Sequence, residues 1–489
     1  MTTRIGTWIA TIVGAAAVAV LASCGGGGGT DNPPPPTQTI YTTGPISGFG
    51  SVYVNGVRYD TSAADIEIDG AKVGLSDLRV GQVIDLKGHV QGGSSSADSI
   101  SYKHNLEGPI FSVDAGALRF VAMGQTVLVG SGTSFGDGIS PASIDGLKVG
   151  DDVEVSGLIN AEGQIEATRI DLWSGSGPYD VFGTATGVDT AAKTFHITGL
   201  LVDYSAANVE DFPTGSPAEG DLVLATGFEF GGDGEFLATR IELRYDQQMM
   251  PAAGDKVHVE GFITRFVSAT DFDVAGTAVT TTSSTVYENG TVGGLALDVH
   301  VCVEGTLDAN GVLVAERVRF RLESEIRIMS MITAMNTAQH TLTALGLTVT
   351  TDVMTRFEDE TTTGNDRLDL ADFHTGEWVD IRGYEKPAGS GQVMATRVER
   401  IAVQNEHRMR GPFRNPAGQE FDILTVAIMT TTGADGTRFI LEDDKGGIRI
   451  DAATFFAQPE GTLVEARGTW DVGTSVLTAT RAIIKTCDD

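Results

Sequence analysis

DVEVSGLINAEGQIEATRI, residues 152–170, is the stretch from which the fold can be read. Its first six residues alternate polar and apolar and end on Gly157. A period of two marks a half-buried strand. NAEG at 160–163 reads as a turn, and a second strand then closes on Ala167-Thr168-Arg169. Two alternating segments around a Gly-bearing turn make a hairpin. The closing phrase returns as LATRI (237–241), VAERV (314–318), MATRV (394–398) and TATRA (478–482). The strand before it returns as VIDLKG (83–88), HVCVEG (300–305), WVDIRG (378–383) and LVEARG (463–468).

Further out, each unit opens near a Gly with alternating residues, as in GPISGFGSVYVNG (44–56), GPIFSVDAGALRF (108–120) and GFITRFVSATDFDVAG (261–276). A Thr-x-aromatic follows at Thr133/Phe135, Thr285/Tyr287, Thr355/Phe357 and Thr437/Phe439, and then a short link such as LKVG (147–150). Such internal periodicity defines repeats, here at 44–104, 105–173, 179–246, 255–323, 324–404 and 408–485. Each repeat reads as three strands, a link and a two-strand hairpin. Five short strands are too few for a two-layered sandwich but can close into a small barrel, which removes exposed edges. The expected fold is therefore all-β, a tandem array of about six small five-stranded OB-like barrels. Units this small bury little core alone, so neighbours should pack together.

Counting back from the NAEG turn places Glu154 opposite Arg169 and Val153 opposite Ile170. The same offset pairs Asp380 with Arg397 and Glu465 with Arg481. The recurring Arg is thus expected to meet a carboxylate across each hairpin, with Ala167 on the outer face beside it. Such a pair contributes on the order of 0.2–1 kcal/mol. Repeats one and three depart from the pattern, with Ser99 in place of the Arg and Leu224 in place of the carboxylate.

Arg4, the apolar run from Trp8 to Val20 and Leu21-Ala22-Ser23-Cys24 compose a secretory signal ending in a lipobox. Residues 1–23 are expected to be cleaved and Cys24 lipidated, which anchors the chain to a membrane. Gly25 rather than Asp after that Cys favours the outer membrane. Residues 24–43, with Gly25 to Gly29 and Pro33 to Pro36, read as a tether. Its reach is roughly 25–60 Å. Only Cys302 and Cys487 remain besides Cys24, and their pairing stays open.

The repeat pattern resembles the bacterial family called domain of unknown function 5666. The Gly-x-Ile/Val openings, the L-x-x-G-x-x-V-x-V-x-G core from Leu147 to Gly157 and the Ala-x-Arg endings carry that resemblance. It extends over nearly all of residues 44–485 and brings no catalytic residues with it. The family's frequent occurrence on lipoprotein-type precursors agrees with the N-terminus.

The formal net charge is −32, from 33 Lys+Arg against 65 Asp+Glu. Such a surface repels phosphate backbones, so no nucleic-acid partner is expected. Gly132-Thr133-Ser134-Phe135-Gly136 matches a G-x-S-x-G elbow but lacks the strand–turn–helix context that chemistry requires. Asp298, His300, Cys302 and Glu304 alternate along one strand, where side-by-side ligands do not converge on a metal. The acidic runs FEDE (357–360), GNDRLDLAD (364–372) and LEDDKGG (441–447) lack calcium-loop spacing and read as solvated loops. No catalytic residue, metal ligand or cofactor site is assigned.

The expectation is a non-enzymatic lipoprotein of the bacterial cell envelope that binds or scaffolds from the membrane, with an envelope protein or polysaccharide as partner. The alternatives are an enzyme acting on envelope polymers through two loop carboxylates, and a cation- or ligand-binding periplasmic protein.

Overall fold

A computed structural model describes residues 37–173, 175, 177–244, 250–361, 367–442 and 447–485. Residues 37–489 form one compact unit. The signal, Cys24 and Cys487 lie outside the described residues, and Cys302 is a buried free thiol.

The second repeat shows the architecture. Its strands are Leu106–Asp114, Arg119–Ala122, Gln125–Phe135, Asp152–Ile159 and Ile165–Leu172. The first pairs the second, the second pairs the third, and the third runs parallel to the fifth. The fifth pairs the fourth, which returns to the first. This closed 1-2-3-5-4-1 ring is the strand order of an OB-like barrel. The same ring closes in the first, third and fourth repeats. It closes likewise in the fifth and sixth. In barrels one, two, four and five the link between third and fourth strands holds a 3-10 turn; in the sixth it is the helix Ala452–Phe456.

Ala-x-Arg is the signature of a β-bulge. In the second barrel Gly157 pairs with Ala167 and Ser156 with Arg169, which leaves Thr168 as the extra residue. The other five barrels repeat this with Gly88/Ala97, Gly227/Ala238, Gly305/Ala315, Gly383/Ala395 and Gly468/Ala479. A Cβ on these glycines would lie 2.0–2.5 Å from the carbonyl oxygen of the residue before the Ala, so the close approach requires Gly. The mid-unit Thr completes the device. Its hydroxyl donates to the Ala carbonyl of the bulge at 2.7 Å from Thr133, 2.7 Å from Thr285, 2.8 Å from Thr355 and 2.6 Å from Thr437. A bulge interrupts the ladder there, and a buried carbonyl needs a donor. The separate Gly, Ala-x-Arg and Thr-x-aromatic signals thus belong to one structural motif.

The bulge also corrects the register. Glu154 faces Asp171, not Arg169. Asp380 faces Glu399 rather than Arg397, and Glu465 faces Ile483 rather than Arg481. The hairpin turn is one residue longer than the NAEG count assumed, and the bulge adds another. The two shifts together preserve the facing of Val153, Val155 and Ile170, all fully buried, but Ala167 turns into the core. A second correction concerns the tether. Strand structure begins at Gln38, because residues 38–45 ladder with residues 83–90 of the same barrel.

Three unions through first strands assemble the barrels. Barrels two and three join antiparallel at Leu106/Val181 and Glu107/Asp180, and barrels five and six at Arg327/Arg410, Ile328/Met409 and Met329/Arg408. Barrels one and four join in parallel from Ile40/Lys256 to Thr43/Val259, skipping over the two between them in sequence. The antiparallel unions each merge two barrels into one apolar core, whereas barrels one and four keep separate cores.

Candidate functional site: a charged cleft and two barrel junctions

Polar contacts hold the barrel pairs together. The end of the strand Gln125–Phe135, from Ser131 to Ser134, docks on arginines of the fifth barrel. Arg356 donates to the Gly132 carbonyl at 2.5 Å, Arg382 to Ser131 at 3.1 Å and Arg397 to Thr133 at 2.9 Å. Ser134 is fully buried and donates to Glu358 at 2.6 Å. This serine therefore belongs to an interface. The run FEDE is likewise no solvated loop. Glu358 and Asp359 are buried in the strand Arg356–Asp359, where Glu358 pairs with Arg397 at 3.0 Å and Asp359 with Arg400 at 2.7 Å. Part of GNDRLDLAD and most of LEDDKGG lie outside the described residues.

Beside this interface opens a cleft of about 820 Å³ between the second barrel and the fifth and sixth. That volume lies within the range of ligand pockets. Arg327, Arg382, Arg408, Arg467 and Lys485 line it together with Asp145, Glu360, Asp380, Glu399 and Glu442. Arg327 grips Asp380 through both carboxylate oxygens at 2.6–3.0 Å. Despite its burial, that guanidinium holds Asp380 well below the usual carboxylate range. Burial pushes the Arg382 guanidinium down to about 10, and its Nε has no hydrogen-bond partner. Glu465, behind the wall, is held by Arg467 at 2.5 Å and Arg408 at 3.5 Å. Glu399 is pushed up to about 8 by burial, because Arg397 beside it is shared with Glu358 and Glu360 lies close.

The sequence-derived site residues separate in space. Asp380 lines the cleft, while Arg397 lies in the buried network with Glu358 and Glu399. Arg169 turns from Glu154 to Asp171, at 2.6 and 2.7 Å, and also donates to the Val80 carbonyl. Arg481 is exposed and stands opposite Arg467. Asp298, His300, Cys302 and Glu304 do not converge. Asp298 accepts from the Ala161 amide, His300 lies 3.1 Å from Glu260, and Glu304 is held near 2 by His258 and Arg317. Burial raises the Cys302 thiol to about 12, far from thiolate chemistry.

The junction of barrels two and three is built on the same plan as that of five and six, with opposite charge. Glu154 occupies the slot of Asp380, three residues before the bulge Gly. Across from it stands Glu107, where the fifth barrel has Met329, and next to Glu107 stands Asp180, where the sixth has Arg408. Glu154 accepts from the Tyr102 hydroxyl at 2.5 Å. Among the described residues no Arg or Lys lies within ion-pair distance of Glu107, Glu154 or Asp180. Burial raises Glu107 to about 7 and Glu154 above its ordinary range. The cation facing them is His104. Burial acts to lower its pKa, but Asp69, Glu107 and Glu154 outweigh it and raise the imidazole to about 9. No residue of this cluster except Glu154 stood out in the sequence, because His104, Glu107 and Asp180 carry no motif spacing.

A chain of closed OB-like barrels fused through their first strands defines a multi-barrel repeat protein. Three of its segments, residues 107–171, 260–319 and 331–399, match the family described as Domain of unknown function (DUF5666). These fall on the second, fourth and fifth barrels, each match running from the first strand to the Ala-x-Arg strand. No curated protein matches the chain.

Proposed function

We propose that this protein is a non-enzymatic binding protein of the bacterial cell envelope, carried on a lipid at Cys24 and holding an anionic, hydroxyl-rich ligand in the cleft. The signal and tether of the sequence support the location. One observation carries the ligand class. A chain with net charge −32 and only 33 basic residues gathers five of them, beside five acids, around one 820 Å³ cleft, and Arg382 Nε there has no hydrogen-bond partner. Guanidinium groups in a partly desolvated wall favour carboxylate, sulfate or phosphate groups on a ligand. Fragments of acidic envelope polysaccharide have that chemistry and the size to fill the space.

Calorimetric titration of the full-length protein with acidic and neutral oligosaccharides tests this reading. Acidic fragments should bind, neutral ones should not, and Arg408→Ala should weaken binding about tenfold. Equal affinity for neutral fragments, or no effect of Arg408→Ala, would refute the ligand class.

The enzyme reading has one observation in its favour. Asp380 and Glu399 face each other across a strand pair in the cleft wall, one ionised and one protonated. Carboxylates with split pKa values run acid–base chemistry. Both, however, are under 5 % exposed, and Arg327 takes both oxygens of Asp380. Release of reducing ends from envelope polymers, abolished by Glu399→Gln, would establish that reading instead.

A further inference from the structure

We propose that the junction of the second and third barrels is a divalent-metal site, with His104, Glu107 and Asp180 as its protein ligands. Each of the three offers a ligand atom within 4.8 Å of the others. His104 Nε2 lies 3.7 Å from an Asp180 oxygen, while Glu107 approaches the ring from the side of Nδ1, at 3.6 Å. Ligands bound at roughly 2.0–2.2 Å stand about 3–3.5 Å apart, so closing the 4.8 Å set on an ion takes a side-chain rotation of Glu107 toward the ion.

Two further observations point to a cation at this place. His104 is 4 % exposed, yet neither ring nitrogen makes a well-directed hydrogen bond, and Asp180 Oδ1 also lacks a partner. A buried imidazole with carboxylates at 3.2–3.7 Å and no well-directed hydrogen bond on either nitrogen has the surroundings of a metal ligand. The second is internal. The equivalent junction of barrels five and six matches Asp380 with Arg327, and at the union of barrels one and four Glu260 takes Arg321 at 2.6 Å. At the second–third junction Glu107, Glu154 and Asp180 have no such guanidinium among the described residues. A divalent ion supplies the compensating charge in its place.

The donor set selects the metal. One imidazole with two carboxylates suits Zn²⁺ or Mn²⁺, and the nitrogen disfavours Ca²⁺ and Mg²⁺. Asp69 Oδ2 stands 3.2 Å from Nδ1, placed to hold the ring from behind and leave Nε2 for the ion.

The test is calorimetry on the chelator-stripped full-length protein with Zn²⁺ and Mn²⁺, with Ca²⁺ and Mg²⁺ as comparators. One equivalent of Zn²⁺ or Mn²⁺ should bind saturably and raise the melting temperature. Glu107→Gln and Asp180→Asn, near-isosteric changes that relieve like-charge repulsion, should melt no lower than the metal-free parent. Each should weaken metal binding at least tenfold. X-ray absorption of the Zn²⁺ form should show one nitrogen ligand that His104→Asn removes. Absence of saturable binding, preference for Ca²⁺, or unchanged affinity in Glu107→Gln and Asp180→Asn would each overturn the site and mark any bound ion as surface-held.

Discussion

The fifth–sixth junction and the second–third junction share one backbone plan and solve one problem differently. Both place a carboxylate three residues before the bulge glycine, the buried Asp380 in one and the half-buried Glu154 in the other. At the fifth–sixth junction Arg327, Arg408 and Arg467 meet Asp380 and Glu465. At the second–third junction acids gather around His104. Strand pairing is blind to charge, so an identical register carries either sign. The charges set the character of the junction, an arginine-rich wall in one case and an acid-rich pocket around His104 in the other.

The comparison breaks most sharply if its strongest pair is removed. Arg327→Ala leaves Asp380 buried without its counter-ion and should cost about 3–5 kcal/mol in denaturant unfolding. A loss below about 1 kcal/mol would mean that Asp380 rehydrates from the cleft and that the junction is open. Next come the features common to both junctions. Gly383→Ala and Gly157→Ala each force a Cβ to within 2.2 and 2.5 Å of a carbonyl oxygen. Each should cost about 1–3 kcal/mol. Equal losses would confirm that the bulge is the shared framework, while a loss in only one would separate the two barrels.

A pH experiment sharpens the contrast at the cleft. Glu399 has a folded-state pKa near 8, raised from its ordinary value. The stability it contributes is therefore full below the unfolded carboxylate pKa near 4.5 and lost as pH rises through about 8. Glu399→Gln should leave stability near pH 5 unchanged and remove roughly 1–3 kcal/mol of the decline between pH 5 and 9. A parallel decline in parent and variant would place the alkaline loss elsewhere. The smallest effect belongs to the bulge threonines. Thr133→Val and Thr355→Val each leave a buried Ala carbonyl without its donor and should cost about 1–2 kcal/mol. Urea melts would show both, and a neutral result would mean that water replaces the hydroxyl.

Much of the fold was legible in the residues. Alternation, turn glycines and the five-strand count led to the ring of an OB-like barrel, because periodicity reports local geometry. The register was not. Thr168 in EATRI looks like any strand residue, and only the opposite Gly157, close against the Glu166 carbonyl, reveals it as a bulge. The recurrence of Gly before the hairpin and Thr-x-aromatic before the link was the available signal, since all three positions are fixed by one contact. The cleft was not legible at all. Its walls come from residues 115–145, 327–329 and 360–485, and no spacing along the chain announces them.

The sequence by itself determined the barrel, its six copies and the glycine each copy needs, since these follow from backbone sterics and side-chain period within some sixty-five residues. Only the tertiary structure decided which barrels join. The first pairs with the fourth across the intervening two because first-strand edges carry interchangeable hydrogen-bond ladders, and the chain alone does not rank them. It is that choice of partners, and the charges it forces together, that made one junction rich in arginine and left His104 among carboxylates.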